Sequence, residues 1–342
     1  MATMLSYRLT SFGSEPEFME VQIPTPGDGE VLIKMAGAGL CHSDLHVIDA
    51  EPGYWPDPPY TLGHENAGYI AKVGSGVDST RVGEPVLVTG LDSCGLCAQC
   101  VSGRDNYCWR PATMAGRGVG SDGGLATYMV APARHVVSID GLDPREAAPL
   151  ADAGATSYHA VKQVARLLPP GSTAVVIGVG GLGSYAVQYL KLLTKARVVI
   201  VETDDKRREW ATTLGADFAV APTDSAAEQI RDVSLGGANV VLDFVGSDST
   251  LDLATSVVGV QGHVTIIGMA QGVASVGWGR IASGATVGLS MGYTLSDLRE
   301  VAHLGASGAL RSDNVYFPFT DTAAAYRALR SGDFFGRIVV TF

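Results

Sequence analysis

Charged residues, and basic residues above all, are scarce in this sequence. Charged side chains occupy 17% of the 342 positions, against about 25% in an average globular protein. Lysine and arginine together number 24, against 35 aspartates and glutamates, which leaves a formal net charge of −11. Because a negative field repels phosphate backbones, this balance argues against nucleic acid as a partner.

The sequence also shows no secretory-signal pattern and no long uninterrupted apolar run. Its first residues, MATMLSYRLTSFGSEPEF, contain no basic segment followed by an apolar one. The most apolar stretch, 173–193, is long enough to span a bilayer, but four glycines, Ser184 and Gln188 interrupt it. The first half of this stretch is rich in β-branched residues, which favours a buried strand followed by a helix. We therefore expect a cytoplasmic protein with no membrane partner.

Apolar residues and glycine are abundant by contrast. Apolar side chains occupy 46% of the positions, which is enough to bury a large core and excludes intrinsic disorder. Glycine occurs 43 times without a period of three, which excludes a collagen-like chain. The length exceeds that of one typical domain of about 100–200 residues and predicts two.

Four of the five cysteines lie close together, in the order C-x2-C-x2-C-x7-C: Cys94, Cys97, Cys100 and Cys108. The odd total and this clustering argue against a disulfide framework. Four thiolates at such spacing typically close around a structural zinc ion. The alternatives are an iron–sulfur cluster, which calls for a shorter last spacing, and redox-active cysteines. The cluster alone would also fit a zinc-binding interaction module without enzymatic activity.

A second group of potential metal ligands is spread over three segments. Cys41 lies in GLCHSDLHVID, His64 in TLGHENAGYI and Asp152 in AAPLADAGATSYHAV. A single cysteine or histidine is most often an ordinary buried residue, and Asp152 is also suited to cap the helix that follows it. Together, however, a thiolate, an imidazole and a carboxylate would give zinc three protein ligands and an open fourth position, which is the catalytic arrangement.

The chain changes character near residue 152. Residues 1–150 contain short strand-like segments separated by turns rich in proline and glycine, which predicts a partly closed β-barrel with metal-bearing loops. After residue 172, continuous apolar strands alternate with helices, which predicts a doubly wound parallel sheet. From about residue 292 the predicted order is helix, strand, helix, strand.

A glycine-rich turn joins the first strand of this second region to a helix, with Gly178, Gly180 and Gly183 in the G-x-G-x-x-G pattern. The second strand ends in Glu202, nineteen residues beyond Gly183. This context indicates a dinucleotide site, with a pyrophosphate at the helix N-terminus and the carboxylate on the ribose hydroxyls. Since a carboxylate would repel a 2′-phosphate, the pattern favours NAD over NADP. The alternative is a glycine turn that serves packing only.

Taken together, the motifs GLCHSDLH, TLGHENAG, the four-cysteine loop, GVGGLG and GRIVVTF resemble the zinc-dependent alcohol dehydrogenases of the medium-chain dehydrogenase/reductase family. The resemblance covers essentially the whole chain, and CHSD and PLxDAG are similar to patterns in bacterial NAD-dependent secondary-alcohol dehydrogenases. It implies an α/β fold with a GroES-like, partly closed β-barrel catalytic domain and a Rossmann doubly wound cofactor domain. The implied domains are catalytic in 1–153, NAD-binding in 154–291, and catalytic again in 292–342.

The resemblance implies two zinc ions per chain. Cys41, His64 and Asp152 match the catalytic ligands, with Asp152 standing where many members have a second cysteine, and the four-cysteine loop matches the structural site. Four more residues match positions around the catalytic metal. Glu65 matches the glutamate near the zinc that is an occasional ligand, and Asp44 matches the residue that orients the ligating histidine. Ser43 matches the hydroxyl at the substrate oxygen, and His46 matches the outer histidine of the proton relay.

The resemblance also assigns the coenzyme contacts. His42 and Arg337 match residues at the pyrophosphate, and Thr156 and the strand ends near Val245 and Gly268 match the nicotinamide side. The full set of expected NAD-binding residues is His42, Thr156, Gly178, Gly180, Gly181, Leu182, Gly183, Glu202, Arg207, Val245, Gly268, Met269 and Arg337.

The implied activity is reversible oxidation of an alcohol to a ketone or aldehyde by hydride transfer with NAD(H), in a homotetramer. Tyr54, Trp55, Tyr60 and Met114 lie in the expected pocket segments and favour a medium-sized apolar or aryl, secondary alcohol. A polyol or amino-alcohol dehydrogenase of the same family is the main alternative. A zinc-free quinone reductase would lack both sets of metal ligands, and a non-enzymatic zinc module would account for residues 94–108 alone.

Overall fold

The computed structural model describes residues 2–53, 55–110, 116–139 and 141–342. The chain forms two compact units, one of Met1–Ala155 with Gly292–Phe342 and one of Thr156–Met291. The first unit is rich in antiparallel β-sheet and the second alternates strands and helices around a parallel sheet. The α/β class predicted from the sequence is therefore confirmed. The domain boundaries expected after residues 153 and 291 stay predictions.

The strands and helices of the described residues are numbered in chain order. The strands are β1 (Thr3–Leu9), β2 (Glu17–Gln22), β3 (Glu30–Leu40), β4 (Tyr60–Thr61), β5 (Glu65–Val73), β6 (Pro85–Val88), β7 (Gly116–Arg117), β8 (Gly120–Ser121), β9 (Tyr128–Pro132), β10 (Val136–Ser138), β11 (Thr173–Ile177), β12 (Arg197–Val201), β13 (Phe218–Val220), β14 (Ala238–Asp243), β15 (Val258–Ile266), β16 (Thr286–Leu289), β17 (Asn314–Pro318) and β18 (Arg337–Thr341). The helices are α1 (His42–Ile48), α2 (Ala98–Val101), α3 (Pro144–Ala147), α4 (Ala153–Val164), α5 (Gly183–Leu193), α6 (Asp205–Thr213), α7 (Ala226–Val233), α8 (Asp248–Val257), α9 (Leu295–Ala306) and α10 (Thr322–Ser331).

The first unit is organised around β3, a long strand with neighbours on both sides. A seven-stranded sheet runs in the order β10–β6–β5–β3–β18–β17, and β9 also pairs with β3. A three-stranded sheet, β2–β1–β4, accompanies it. Alternate residues of these strands face one apolar core, as in Tyr7 and Leu9 of β1, which are almost fully buried while Arg8 between them is partly exposed. This arrangement places the end of β3 between the first residues of β5 and β18.

The second unit contains a six-stranded parallel sheet in the order β13–β12–β11–β14–β15–β16. All five residues of β11 are buried, and the valines and isoleucine of β12 are buried as well, as expected for strands that are covered on both faces. The strand order reverses between β11 and β14, and in such sheets ligands bind at the carboxyl ends beside that point.

Five strands lie outside the segments whose sequence pattern predicts a strand, namely β1, β4, β7, β8 and β16. Strand β16 is a four-residue edge strand that contains a glycine, so its apolar pattern is too short to be distinctive. The helix predicted after the glycine-rich turn begins at Gly183, because the preceding residues form that turn. No helix among the described residues is long and apolar enough to cross a membrane.

Candidate metal centres and coenzyme site

The pairing of β3 with β5 brings two distant motifs together. Cys41 follows the last residue of β3 and is the N-cap of α1. Strand β5 begins at Glu65, directly after His64, and runs antiparallel to β3 with Gly39 opposite Glu65. The end of one strand therefore lies beside the start of the other, which places the thiol next to the imidazole.

Asp152 completes a cluster of potential metal ligands. It follows a short 3-10 turn over Ala148–Ala151, and its Oδ2 lies 3.5 Å from His64 Nε2. One ligand atom from each of Cys41, His64, Glu65 and Asp152 lies within 4.8 Å of the others. We call Cys41, His64 and Asp152 the three-ligand set; the structure brings these three predicted ligands together, and their binding of zinc stays a prediction.

Asp44 fixes the orientation of the His64 ring. It is fully buried on α1 and accepts a hydrogen bond from His64 Nδ1 at 2.8 Å through Oδ1, while its Oδ2 accepts the backbone N–H of Cys41 at 3.0 Å. A histidine that binds a metal commonly donates its other ring N–H to a carboxylate in this way. The contact leaves Nε2, which faces Asp152, as the nitrogen available to a metal.

The charges in this cluster favour a bound cation. Burial acts to lower the pKa of His64, but Asp44 and Asp152 outweigh it and raise this pKa well above its ordinary value. Burial raises the pKa of Glu65 well above its ordinary value. Burial also acts to raise the pKa of Cys41, yet the nearby Arg337 and His64 lower it. A divalent ion among these groups would balance the negative charge of the thiolate and the carboxylates.

Arg337 was expected at a pyrophosphate, and its side chain lies within this first unit against Glu65. Strand β18 begins at Arg337 and pairs with β3, so Ile338 lies opposite Leu40. The Arg337 Nη2 and Glu65 Oε1 form an ion pair, and both side chains are buried. No sequence pattern predicts this ion pair, because Arg337 and Glu65 are 272 positions apart. The pyrophosphate contact stays a prediction.

The expected proton-relay residues lie on α1. Ser43 Oγ is 3.7 Å from Cys41 Sγ, and His46, three positions further along the helix, is exposed. Residues three apart share one side of a helix, so Ser43 and His46 lie on the same side of α1. His42 is exposed at the first position of the same helix. Their roles toward substrate and coenzyme stay predictions.

The four-cysteine loop fits a tetrahedral metal site. Its Sγ–Sγ distances are 3.8 Å for Cys94–Cys100, 3.5 Å for Cys97–Cys100 and 3.9 Å for Cys97–Cys108. Four thiolates around one zinc ion, at a Zn–S distance of about 2.3 Å, would lie about 3.8 Å apart. The Cys97 N–H donates to Cys94 Sγ at 3.3 Å. These distances favour a single zinc ion.

Several residues that carry no sequence motif support this loop. Arg117 is buried and pairs with Asp92 at 2.6 Å. Arg134 donates to Ser93 Oγ at 3.0 Å. Burial and the charges of Arg117 and Arg134 lower the pKa of His135 to about 3, so this histidine is neutral near pH 7. The group holds the start of the cysteine loop against β10 through contacts between segments that are far apart in sequence.

The glycine turn after β11 has the shape that a pyrophosphate requires. Gly178 has a φ of +85°, which glycine adopts without strain. A Cβ added at Gly183 would overlap the Gly178 carbonyl oxygen, so only glycine allows α5 to start there. A Cβ added at Gly180 would meet no atom within 4 Å, so this backbone faces open space. The turn therefore leaves room for a phosphate group at the N-terminus of α5.

Glu202 lies one residue beyond β12, at the same edge of the sheet. Its side chain is buried, and its Oε2 accepts the Val179 N–H at 2.8 Å while its Oε1 accepts the Thr203 N–H at 2.7 Å. These bonds fix the carboxylate beside the glycine turn, where a ribose would follow the pyrophosphate.

The other expected coenzyme residues of the second unit are spread along this edge. Val245 follows β14 and contacts the glycine turn, since a Cβ at Gly178 would lie 2.7 Å from its Cγ2. The remaining residues lie on the turn itself, after β15, on α6 and on α4: Gly181, Leu182, Gly268, Met269, Arg207 and Thr156. Their contacts with a coenzyme stay predictions.

The aromatic residues expected in a substrate pocket have different surroundings. Tyr60 is 3% exposed and belongs to the apolar core of the first unit. Trp55 is partly buried and packs against the same core. Tyr54 and Met114 lie outside the described residues. The two described side chains therefore fill the core of the first unit, and a substrate contact for them stays a prediction.

Comparisons with known proteins define the class. Residues 27–141 match the alcohol dehydrogenase GroES-like domain and residues 181–307 match the zinc-binding dehydrogenase domain. An alcohol dehydrogenase of Moraxella sp. (strain TAE123) is 32% identical over 98% of each chain. The D-arabinose 1-dehydrogenase (NADP(+)) of Saccharolobus solfataricus is 34% identical, over 96% of this chain and 95% of its own.

Two solved structures support the same conclusion. The alcohol dehydrogenase of Aeropyrum pernix aligns with a TM-score of 0.90 and 32% identity, over 99% of this chain and 100% of its own. The acetophenone reductase of Geotrichum candidum, solved with NAD, aligns with a TM-score of 0.87 and 30% identity, over 99% and 97%. The fold and the site thus define a zinc-type oxidoreductase. The chain belongs to the zinc-dependent alcohol dehydrogenases of the medium-chain family, which confirms the predicted fold and enzyme class and excludes a non-enzymatic zinc module.

Proposed function

We propose that this enzyme interconverts a secondary alcohol and its ketone with NAD(H), on a zinc ion held by the three-ligand set. The observation that carries the proposal is the convergence of a thiol, an imidazole and a carboxylate from three distant segments, with their ligand atoms within 4.8 Å of one another. This donor set fits zinc, which accepts sulfur, nitrogen and oxygen ligands at once. The four-cysteine loop would hold a second, structural zinc ion.

The chain's own residues would orient the reactants and move the proton. When bound, zinc polarises the alcohol oxygen and lowers its pKa, and NAD⁺ accepts the hydride from carbon. Asp44 keeps His64 in the tautomer whose Nε2 faces the metal position. The Ser43 hydroxyl would accept the alcohol's proton while releasing its own outward, and His46 would pass a proton to solvent. The alcohol thus loses one hydride and one proton and becomes the ketone.

The preference for NAD rests on Glu202. Its carboxylate is fixed beside the glycine turn, where a 2′-phosphate would bring about −1.5 to −2 further units of charge. The acetophenone reductase solved with NAD supports the same choice. The arabinose dehydrogenase is named for NADP, and the charge at position 202 is our reason for expecting a different preference here.

Replacing Glu202 and its neighbour should shift the coenzyme preference. In the double variant Glu202→Ala/Thr203→Arg, the ratio of kcat/KM with NADP to that with NAD should rise by about tenfold or more, because one repulsive charge is removed and one phosphate partner is added. Steady-state kinetics with both coenzymes measures the ratio.

Two controls separate charge from shape in this experiment. Thr203→Arg alone keeps the carboxylate and should shift the ratio less than the double variant. Glu202→Gln keeps an acceptor for the Val179 N–H but removes the charge, so it should shift the ratio in the same direction as the double variant. A wild-type enzyme that prefers NADP would contradict this assignment of Glu202.

The proposed substrate is a medium-sized apolar or aryl secondary alcohol, and a sugar or polyol is the second candidate. The first is supported by the acetophenone reductase among the similar structures, and the second by the arabinose dehydrogenase among the relatives. In a panel of primary, secondary, aryl and polyol alcohols with NAD⁺, we expect kcat/KM to be highest for aryl or alkyl secondary alcohols. A maximum for polyols would support the second candidate.

We further propose a homotetramer that works in the cytoplasm. The edge strand β16 and the fully exposed Trp278 offer backbone groups and apolar surface for contact with a second copy. All five cysteines are free thiols, and the two ligand clusters to which they belong require reduced sulfur.

A further inference from the structure

Two loops that follow neighbouring strands of the parallel sheet are anchored on one residue, Asp243. It is the last residue of β14, beside the point where the strand order reverses, and it is fully buried. Its side-chain Oδ1 accepts the N–H groups of Val245 and Gly246 at 2.8 and 3.0 Å. Its backbone carbonyl accepts the N–H groups of Ile267 and Gly268 at 2.8 and 3.0 Å. We call the two loops, residues 244–247 and 267–272, the paired loops.

The paired loops are in close contact along their backbones. The N–H of Ala270 donates to the Val245 carbonyl at 3.2 Å, and the N–H of Gly272 donates to the Gly246 carbonyl at 2.8 Å. A Cβ added at Gly246 would overlap the Gly268 carbonyl oxygen, and a Cβ added at Gly268 would overlap the backbone of Val245. Since no side chain fits between the two backbones, a displacement of one loop must displace the other.

The paired loops expose two apolar side chains at the carboxyl edge of the sheet. Val245 is 37% exposed and Met269 is 49% exposed. Ligands of such sheets bind at this edge, and apolar side chains there suit a flat aromatic ring. Glu202, at which the adenosine ribose is expected, lies at the end of β12, two strands away from β14. The two halves of a dinucleotide would therefore depend on different parts of this edge.

A single oxygen atom makes the hydrogen bonds of the Asp243 side chain. Its Oδ2 is buried and has no hydrogen-bond partner among the described residues. The amide oxygen of an asparagine could therefore replace Oδ1 as the acceptor, and no hydrogen bond would be lost where its NH₂ group replaces Oδ2. An alanine would remove the acceptor and leave the N–H groups of Val245 and Gly246 without this partner. The two substitutions thus separate the loss of the charge from the loss of the acceptor.

We propose that Asp243 is a positioning residue for the nicotinamide half of NAD and has no part in binding the adenosine half. This inference rests on the proposed function, because it takes NAD(H) as the coenzyme and places the nicotinamide ring at Val245 and Met269. Asp243 is fully buried, so it acts through the paired loops and not by touching the ring. Without its acceptor oxygen the paired loops shift, and the ring loses the surface that holds it in the geometry for hydride transfer.

The affinities for NADH and for ADP-ribose, which lacks the nicotinamide ring, test the proposal. Both are measured by titration calorimetry of the purified enzyme without substrate. We expect Asp243→Ala to weaken NADH binding by about tenfold or more and to leave ADP-ribose binding within about twofold of wild type, since only contacts of the ring are lost. Asp243→Asn keeps an acceptor oxygen and should bind both ligands within about threefold of wild type. A general structural defect would weaken both ligands together.

Three further variants complete the design. Asp217→Ala also removes a carboxylate that accepts a backbone N–H, that of Val198 at 2.7 Å, but at the other end of the sheet, so it should leave both affinities unchanged. Glu202→Ala should weaken NADH and ADP-ribose by a similar factor, because it acts on the half that they share. Gly246→Ala forces the paired loops apart from their other side. It should reproduce the selective loss of NADH, and it decides the question even if Asp243→Ala does not fold.

Each outcome has a separate meaning. Unchanged NADH affinity in Asp243→Ala or Gly246→Ala, or an equal loss for both ligands, would overturn the role of Asp243 while the proposed function stands. A loss of NADH affinity in Asp243→Asn as large as in Asp243→Ala would overturn it as well, because the charge and not the acceptor would then matter. A wild-type enzyme that binds neither NADH nor ADP-ribose would overturn the proposed function together with this inference.

Discussion

Asp152→Asn is expected to lower kcat by about tenfold or more and to release zinc from the catalytic site, because a change in the ligand set costs metal affinity and activity together. The substitution keeps the size of the side chain and its ability to cap a helix, but it removes one negative charge. With Cys41 and Asp152 as the anionic ligands, the zinc site is neutral; with asparagine it carries one positive charge. The measurements are zinc content per chain and kcat of the same preparation.

The structure explains why the effect should fall on the metal. Asp152 precedes α4, where a capping role alone would contribute about 0.5–2 kcal/mol of stability and nothing to catalysis. Its Oδ2 instead lies 3.5 Å from His64 Nε2. Since asparagine retains the cap, the melting temperature should change little once it is corrected for metal content.

A second substitution at the same position serves as the control. Asp152→Cys supplies the thiolate that many family members have there and should retain zinc, provided that its shorter side chain reaches the metal. Full zinc occupancy with near-normal turnover in Asp152→Asn would contradict the assignment. Asp152 would then be a cap, and Glu65 would be the third ligand in its place.

Cys94→Ser should cause the largest loss of stability. Cys94 Sγ lies 3.8 Å from Cys100 Sγ and accepts the N–H groups of Leu96 and Cys97 at 3.4 and 3.3 Å, so it is a fixed corner of the tetrahedral site. A serine hydroxyl is not ionised near pH 7 and is a poor ligand for zinc. Because structural zinc contributes folding free energy directly, zinc content should fall from about two ions to about one per chain, with lower yield and a lower melting temperature.

The chemistry of the molecules that still fold should change little, since the three-ligand set lies elsewhere in the first unit. Leu96→Ala is the matched control, because this side chain is exposed, lies between two of the ligands and binds no metal. It should retain both zinc ions and the wild-type melting temperature. Iron in the wild-type protein, or wild-type stability and two zinc ions in Cys94→Ser, would show that the loop is not a structural zinc site.

The features that sequence patterns predicted well are local ones. The four thiols lie within a single loop, so their spacing alone indicates a metal site. Gly178, Gly180 and Gly183 are close in sequence, and the turn needs glycine at 178 for its positive φ and at 183 because an added Cβ would overlap the Gly178 carbonyl oxygen. The strands of the parallel sheet are continuous apolar segments, and they were predicted because burial on both faces removes the need for polar residues. The strand β16 was missed because an edge strand of four residues has no such pattern.

No sequence pattern predicted the contacts between segments that are distant in the chain. Glu65 and Arg337 are 272 positions apart, and each alone looks like an ordinary charged residue. The support of the cysteine loop by Arg117 and Asp92 is similar, because an ion pair leaves no periodicity in the sequence. Asp44 was expected to orient His64 only through the resemblance to a family, since twenty residues separate the two.

By itself, the sequence of this protein determined which ligand types are present, how the cysteines are spaced and where the glycine turn lies, because these depend on residues a few positions apart. Only the tertiary structure decided how the ligands meet. The register of β3 with β5 sets Gly39 opposite Glu65, and the pairing of β3 with β18 brings Arg337 to the same carboxylate. A strand register depends on the whole hydrogen-bonded sheet and its buried face, so the position of Glu65 relative to the metal cluster is a property of the fold.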